Sequence, residues 1–324
     1  GGSSVKDQER IRAVARRMVD AHRRGHRVVA VLSAMGKTTD KLVQMAYAMT
    51  TRPPLREFDA LLSVGESLSC ALTAMAVAEL GVPAVSLTGP QAGMLTDARH
   101  GSARLVDLRP DRIVAALDDG AVVLVTGFQG VSDGGDVTTL GRGGSDASAV
   151  AVAAALGARE CEIFTDAPAV CTADPRVVAD ARRIARLRPE EMLELAEAGA
   201  GVLQPRSVEL AIAHDIAIHL RSSFTDEDGT RIRRSRTGEI ESHQVTGVAH
   251  RRREDLHTVR GVSAATVVAA LAERGIALGV LLPSADGVRF SAPDADVADV
   301  AAAIAATGVA AETEDSLGTV SVVS

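Results

Sequence analysis

Thr138-Thr139-Leu140-Gly141-Arg142-Gly143-Gly144-Ser145-Asp146-Ala147 stands directly before an apolar, helix-like run from Ala149 to Leu156. Glycines allow a tight turn and a close approach of backbone to ligand. The N-terminus of the helix behind them offers free N–H groups and positive potential, which suits an anion. Arg142 can grip a carboxylate or phosphate with two parallel hydrogen bonds. The pattern fits a loop that holds a charged small molecule. A plain glycine-rich turn from strand to helix would use the same residues.

Outward from this loop, helix-like and strand-like patterns alternate. Ile11, Val14, Met18 and Val19 fall at helical spacing between charges, and Val28-Val29-Ala30-Val31-Leu32 is a continuous apolar run. Leu55 to Leu80 reads as one long helix, stopped by Gly81-Val82-Pro83. Val122–Val125, Glu162–Thr165 and Ile218–Leu220 are further buried-strand runs, with helices expected near 111–118, 145–157, 189–197 and 205–214. This alternation predicts an α/β fold with a mostly parallel sheet covered by helices on both faces. Ligands in such folds bind at the carboxyl ends of the strands, where the glycine-rich loop sits.

The composition bounds the partners. The chain has 324 residues, 46% hydrophobic, with a net charge of −7, no Trp and a single Tyr. No basic stripe with interleaved aromatics appears, which argues against nucleic acid. No run reads as long and apolar enough to span a bilayer, and no signal peptide is visible. Cys70, Cys161 and Cys171 are an odd count without metal-ligand spacing. They are expected to be free thiols in a reducing cytoplasm, with no protein metal site. The chain opens on Gly1 rather than Met, and its native start is expected upstream.

Composition changes near residue 225, through Asp226-Glu227-Asp228-Gly229 and the segment from Arg231 to Arg236. From Val245 the order is strand, helix (Ala264–Arg274), strands (Ala277–Leu282 and Val288–Ser291), helix (Val297–Ala306) and strand (Thr319–Val323). That βαββαβ order predicts a small ferredoxin-like domain. The expected domains are therefore 1–236 and 245–324. Small domains of this kind bind regulators, pair with copies of themselves, or only pack.

Several segments together resemble aspartate kinases of the amino acid kinase family, with a single C-terminal ACT-like domain. They are Gly1-Gly2-Ser3-Ser4-Val5, Ser33-Ala34-Met35-Gly36-Lys37-Thr38-Thr39-Asp40, Ser63-Val64-Gly65-Glu66, Gly127-Phe128-Gln129-Gly130-Val131, the Arg142 loop, Thr172-Ala173-Asp174-Pro175-Arg176 and Arg206-Ser207-Val208-Glu209. The resemblance covers essentially the whole chain. It implies transfer of the γ-phosphoryl of ATP to the side-chain carboxylate of L-aspartate, in amino-acid (lysine) biosynthesis. Such a reaction needs positioning and charge neutralisation more than covalent chemistry.

By the same resemblance, Glu66 holds the substrate ammonium, Arg142 clamps a carboxylate, and Gly143, Gly144 and Ser145 hold the remaining oxygens. Ser33 and Thr39 line the site. Asp146 organises the phosphoryl path, although aspartate also suits a helix N-terminus on its own account. Gly1, Gly2 and Ser3 cradle phosphates, and Thr165, Asp166 and Arg176 contact the nucleotide, as do the positions of Cys171, Gly201 and Val202. Mg²⁺ is carried by the ATP phosphates.

The sequence also departs from the family. The family's lysine before Gly-Gly-Ser-Ser falls upstream of Gly1. Its Gly-Ala-Lys-Val-Leu reads Gly199-Ala200-Gly201-Val202-Leu203, and its Asp-Gly-Val-Tyr reads Pro168-Ala169-Val170-Cys171. In the tail, Gly261-Val262-Ser263-Ala264 lacks the Asp-x-Pro-Gly turn, and Val280-Leu281-Leu282-Pro283 lacks the Gln-Asn pair. Feedback inhibition by lysine or threonine is therefore expected to be absent, and the domain is expected to pair chains as a homodimer. Glu66, Arg142, Ser145 and Asp146 favour an active kinase. Gly201 and Cys171 favour a catalytically degraded binding or scaffold protein. A kinase for a related acidic amino acid is a further alternative, since one methylene alters pocket fit by only about 1–3 kcal/mol.

Overall fold

The computed structural model describes residues 1–141, 143–234, 245–292 and 297–324. After a 3₁₀ turn at Gly2–Val5 come α1 (Gln8–Arg23), β1 (Val29–Leu32), α2 (Thr38–Met49), α3 (Leu55–Leu62), α4 (Val64–Glu79) and β2 (Ala84–Leu87). β3 (Met94–Thr96), β4 (Leu105–Leu108), α5 (Asp111–Asp118), β5 (Val122–Thr126), β6 (Gln129–Ser132) and β7 (Val137–Thr139) follow. Then come α6 (Gly144–Ala155), β8 (Glu160–Thr165), β9 (Arg186–Leu187), α7 (Pro189–Glu197), α8 (Pro205–His214), β10 (Ala217–Ser222) and β11 (Thr230–Ile232). The chain closes with β12 (Gly247–Arg260), α9 (Ala264–Glu273), β13 (Leu281–Ser284), β14 (Gly287–Ser291), α10 (Val297–Ala305) and β15 (Ala311–Val323).

Two compact units result. One joins Gly1–Ala196 to Gly201–Ser242, and the other joins Glu197–Ala200 to His243–Ser324. The segment from 236 to 245, where the sequence predicts the domain boundary, lies largely outside the described residues.

In the first unit β1, β5 and β2 form a parallel sheet with β5 in the middle. All five residues of β5 are buried. Successive side chains of a strand point to opposite faces. Val122 and Leu124 therefore join the core under α1 and α4, while Val123 and Val125 join the one that includes Ile113 and Leu117 of α5 and Val152 of α6. A strand buried on both faces needs the unbroken apolar run seen in the sequence. β8 and β10 form a second parallel pair, extended by antiparallel β11 and then β9. Among the described residues β1 and β8 each keep one edge unpaired, and α6 packs against both. A further sheet, β4-β3-β6-β7, carries strands of three or four residues with mixed polarity, too short to show a period in the sequence.

The long helix expected at 55–80 forms as α3 and α4 with a turn at Ser63, whose backbone stays in the right-handed helical region (φ −60, ψ −17). By length and composition this rod, Leu55–Glu79, would reach across a membrane, which corrects the expectation that no run could. Its buried Asp59 and Glu66, and the packing of α4 on α1, β2 and β5, fit a core helix instead.

The second unit is an antiparallel sheet ordered β13-β14-β12-β15, with α9 and α10 supplying its core around Phe290, Leu271 and Ile304. Relative to the sequence reading, the second strand starts later, at Leu281, and the last one starts earlier, at Ala311. The polar Glu312, Glu314 and Asp315 hid that extension, because an edge strand need bury only one side.

Candidate active site

A cavity of about 290 Å³ opens where β1, β5 and β8 end and α4 and α6 begin. Its lining brings together Gly1, Ser33, Thr39, Glu66, Gly143, Gly144, Ser145, Asp146, Thr165, Gly201 and Val202. All of these were singled out in the sequence, from segments up to two hundred residues apart.

Glu66 sits in the first turn of α4 and is only 3% exposed. Its Oε1 accepts the Ala34 N–H at 3.1 Å, while Oε2 is buried without a protein partner. Burial pushes the carboxyl up to about 7, against the lowering effect of its backbone hydrogen bonds. A half-satisfied buried carboxylate at a cavity wall fits a cationic group well. The wall around it is rigid: Ser69 Oγ donates to the Ser33 carbonyl at 2.8 Å, and an added Cβ at Gly65 would stand 2.8 Å from the Ala34 Cβ.

The N-terminus of α6 forms part of the lining. Gly143 is its N-cap, with a left-handed backbone (φ 72). A Cβ there would fall 1.8 Å from Cγ of Gln204, so the position requires glycine twice over. Asp146 follows in the first turn, its carboxyl raised by burial. The Gly1 nitrogen lies 3.1 Å from the Phe164 carbonyl. Arg142 lies outside the described residues.

The structure does not bring every expected residue to the cavity. Gly2, Ser3, Asp166, Cys171 and Arg176 are absent from its lining. Gly2 instead accepts the Gly36 N–H through its carbonyl at 3.0 Å. Asp166 accepts the Thr165 hydroxyl at 3.1 Å. The exposed Arg176 guanidinium pairs with Asp174 at 2.8 Å, which raises it above its ordinary value. The Cys171 backbone pairs with Arg183 in an isolated antiparallel β-bridge, and burial raises its thiol.

Other lining residues gave no chemical signal in the sequence: Phe128, Ile163, Phe164 and Gln204. Phe128 carries an uncommon positive φ of 70. Arg17 and Arg221 lie over the Phe164 ring, at 4.6 and 5.6 Å from its centre. Gln204 precedes Pro205 at the start of α8, where only packing against Gly143 reveals it.

Chemically, the cavity offers a buried carboxylate for an ammonium, a helix N-terminus for an anion, and three hydroxyls (Ser33, Thr39 and Ser145) between. Among the described residues no three His, Cys, Asp or Glu side chains gather as a metal site.

Comparison with known proteins agrees with this arrangement. Residues 1–222 match the Amino acid kinase family. The chain is 49% identical over 301 residues to the aspartokinase of Mycolicibacterium smegmatis, covering 91% of this chain and 72% of that one. It is 47% identical over 291 residues to the aspartokinase of Geobacillus stearothermophilus, covering 88% and 71%. Among solved structures, E. coli aspartokinase III in complex with aspartate and ADP superposes with a TM-score of 0.88 at 25% identity, over 99% of this chain and 86% of that one. Aspartate kinase from Synechocystis gives a TM-score of 0.65 at 36% identity, over 99% and 58%.

Proposed function

The chain belongs to the aspartokinases of the amino acid kinase family, which are phosphotransferases, and we propose that its cavity binds L-aspartate by both ends beside ATP and directs the side-chain carboxylate onto the γ-phosphorus. The observation that carries the reading is Glu66: a buried carboxylate at the cavity wall with one oxygen unpaired. It receives the substrate ammonium. Arg142 and the backbone amides of Gly143 and Ser145 receive carboxylate oxygens, with Ser33 and Thr39 completing the contacts. These contacts hold the nucleophilic oxygen in line and convert a two-body encounter into one within a complex.

Asp146 stands at the phosphoryl path, and Gly1 with its following amides lies on the phosphate side. Thr165, Gly201 and Val202 line the nucleotide side, with Asp166, Cys171 and Arg176 as outer contacts. Magnesium accompanies the nucleotide phosphates and supplies charge neutralisation there. Cys70, Cys161 and Cys171 are free thiols, which accords with a reducing cytoplasm. E. coli aspartokinase III, with aspartate and ADP bound, supports the choice of substrates.

The second unit pairs two chains, using edge strand β15 with its exposed Val320 and Val322. It does not take lysine or threonine as an inhibitor. In support, Gly261 is followed by Val262 alone before Ser263, whose hydroxyl accepts the Thr266 N–H and caps α9.

The test is acyl-phosphate formation from ATP, Mg²⁺ and L-aspartate, trapped with hydroxylamine. Aspartyl hydroxamate is expected. Product from glutamate but not from aspartate would reassign the substrate, and no product from either would reject the turnover reading.

A further inference from the structure

Asp59 of α3 is fully buried and takes no part in the contacts described so far. Its carboxylate gathers donors from two distant parts of the chain. Oδ1 accepts the Thr139 hydroxyl at 2.5 Å, and Oδ2 lies 2.8 Å from Nδ1 of His100. The Gly101 N–H reaches both oxygens at 3.0 Å. A buried carboxylate is tolerated only when its lone pairs are met, and once met it holds its donors stiffly.

Those donors root the glycine-rich loop. Thr139 is the last residue of β7, and its carbonyl accepts the Ala103 N–H at 2.8 Å. Gly141, at φ 76, backs onto the same turn, where an added Cβ would come within 3.2 Å of the Gly101 carbonyl. From the other side, Arg206 of α8 donates to the Leu140 carbonyl at 3.0 Å.

Asp59 also shares a rod with Glu66. Seven residues on an almost continuous helix are two turns, about 10 Å along one face. One rigid element therefore carries both the ammonium receiver and the anchor of the loop that follows Thr139. We propose that Asp59, through Thr139 and the His100–Gly101 turn, is a positioning residue. It fixes the glycine-rich loop against Glu66 and thereby sets affinity for aspartate rather than for ATP. This rests on the reading of the site given above.

Thr139→Val removes one donor and keeps the side-chain shape, while Thr139→Ser keeps the donor. Two measurements on the full chain test the idea: hydrogen exchange of the segment 139–148, and KM for each substrate. Thr139→Val should speed exchange in that segment and raise KM for aspartate about tenfold, as loss of a hydrogen bond to a charged group implies, with KM for ATP within about twofold. Thr139→Ser should restore both. The proposal is overturned if Val leaves loop exchange unchanged, if Ser behaves as Val does, or if both KM values rise together. Were the wild-type chain to form no hydroxamate while exchange still separated Val from Ser, the catalytic reading would fail and the anchoring would stand.

Discussion

Glu66 gives the site a pH signature. Its carboxyl is raised from 4.5 to about 7 by burial. Between those values the folded chain holds a proton that the unfolded chain has released, so Glu66 subtracts stability as pH rises through the window. A substrate ammonium favours the ionised form and reverses that cost. Aspartate binding should therefore release a proton and tighten by about tenfold between pH 6 and pH 8, as the ionised fraction rises through a pKa near 7. Calorimetry in buffers of different ionisation enthalpy reads both quantities. Glu66→Gln should weaken binding and flatten the profile, and a wild-type profile that is already flat would remove Glu66 from the ammonium subsite. Gly201 makes the opposite case, a position with room and no charge. It lines the cavity, and an added Cβ there meets nothing within 4 Å. Gly201→Lys should fold normally and lower KM for ATP several-fold by adding a cation near the phosphates. An unchanged or higher KM for ATP would separate this position from the nucleotide.

At the scale of elements, the strand–loop–helix unit β7–α6 was legible because its chemistry is local. Glycines before an apolar run announce a turn and a helix start whatever the surroundings. Why Gly143 must be glycine was only half legible. The left-handed backbone is a turn property, whereas the collision with Gln204 comes from α8, some sixty residues away. Gly143→Ala should therefore abolish hydroxamate formation while the far-ultraviolet circular dichroism stays helical. Activity within about threefold of wild type would show that the loop tolerates displacement. The rod α3–α4 was read as one apolar helix, and its two buried acids stood out unequally. Glu66 was flagged by its Gly-Glu segment. Asp59 resembled any polar residue on a helix, because its partners His100, Gly101 and Thr139 meet it only after folding.

At the scale of the whole molecule, the first unit holds the cavity and the second is an antiparallel sheet with its own core. If the second unit lacks an amino-acid pocket, neither lysine nor threonine at millimolar concentration should slow the kinase or register in a calorimetric titration. An inhibition curve with either would restore feedback control to the chain. By itself the sequence determined the α/β class, the βαββαβ tail, the strand runs of the parallel core and most of the cavity's polar lining. Those features rest on period, turn chemistry and short motifs, which are local in the chain. Tertiary structure alone decided that Phe128, Ile163, Phe164 and Gln204 complete the cavity, and that Asp59 roots the glycine-rich loop. Each of these is a contact between residues far apart in sequence, where burial and hydrogen-bond partnership depend on which surfaces the fold brings together.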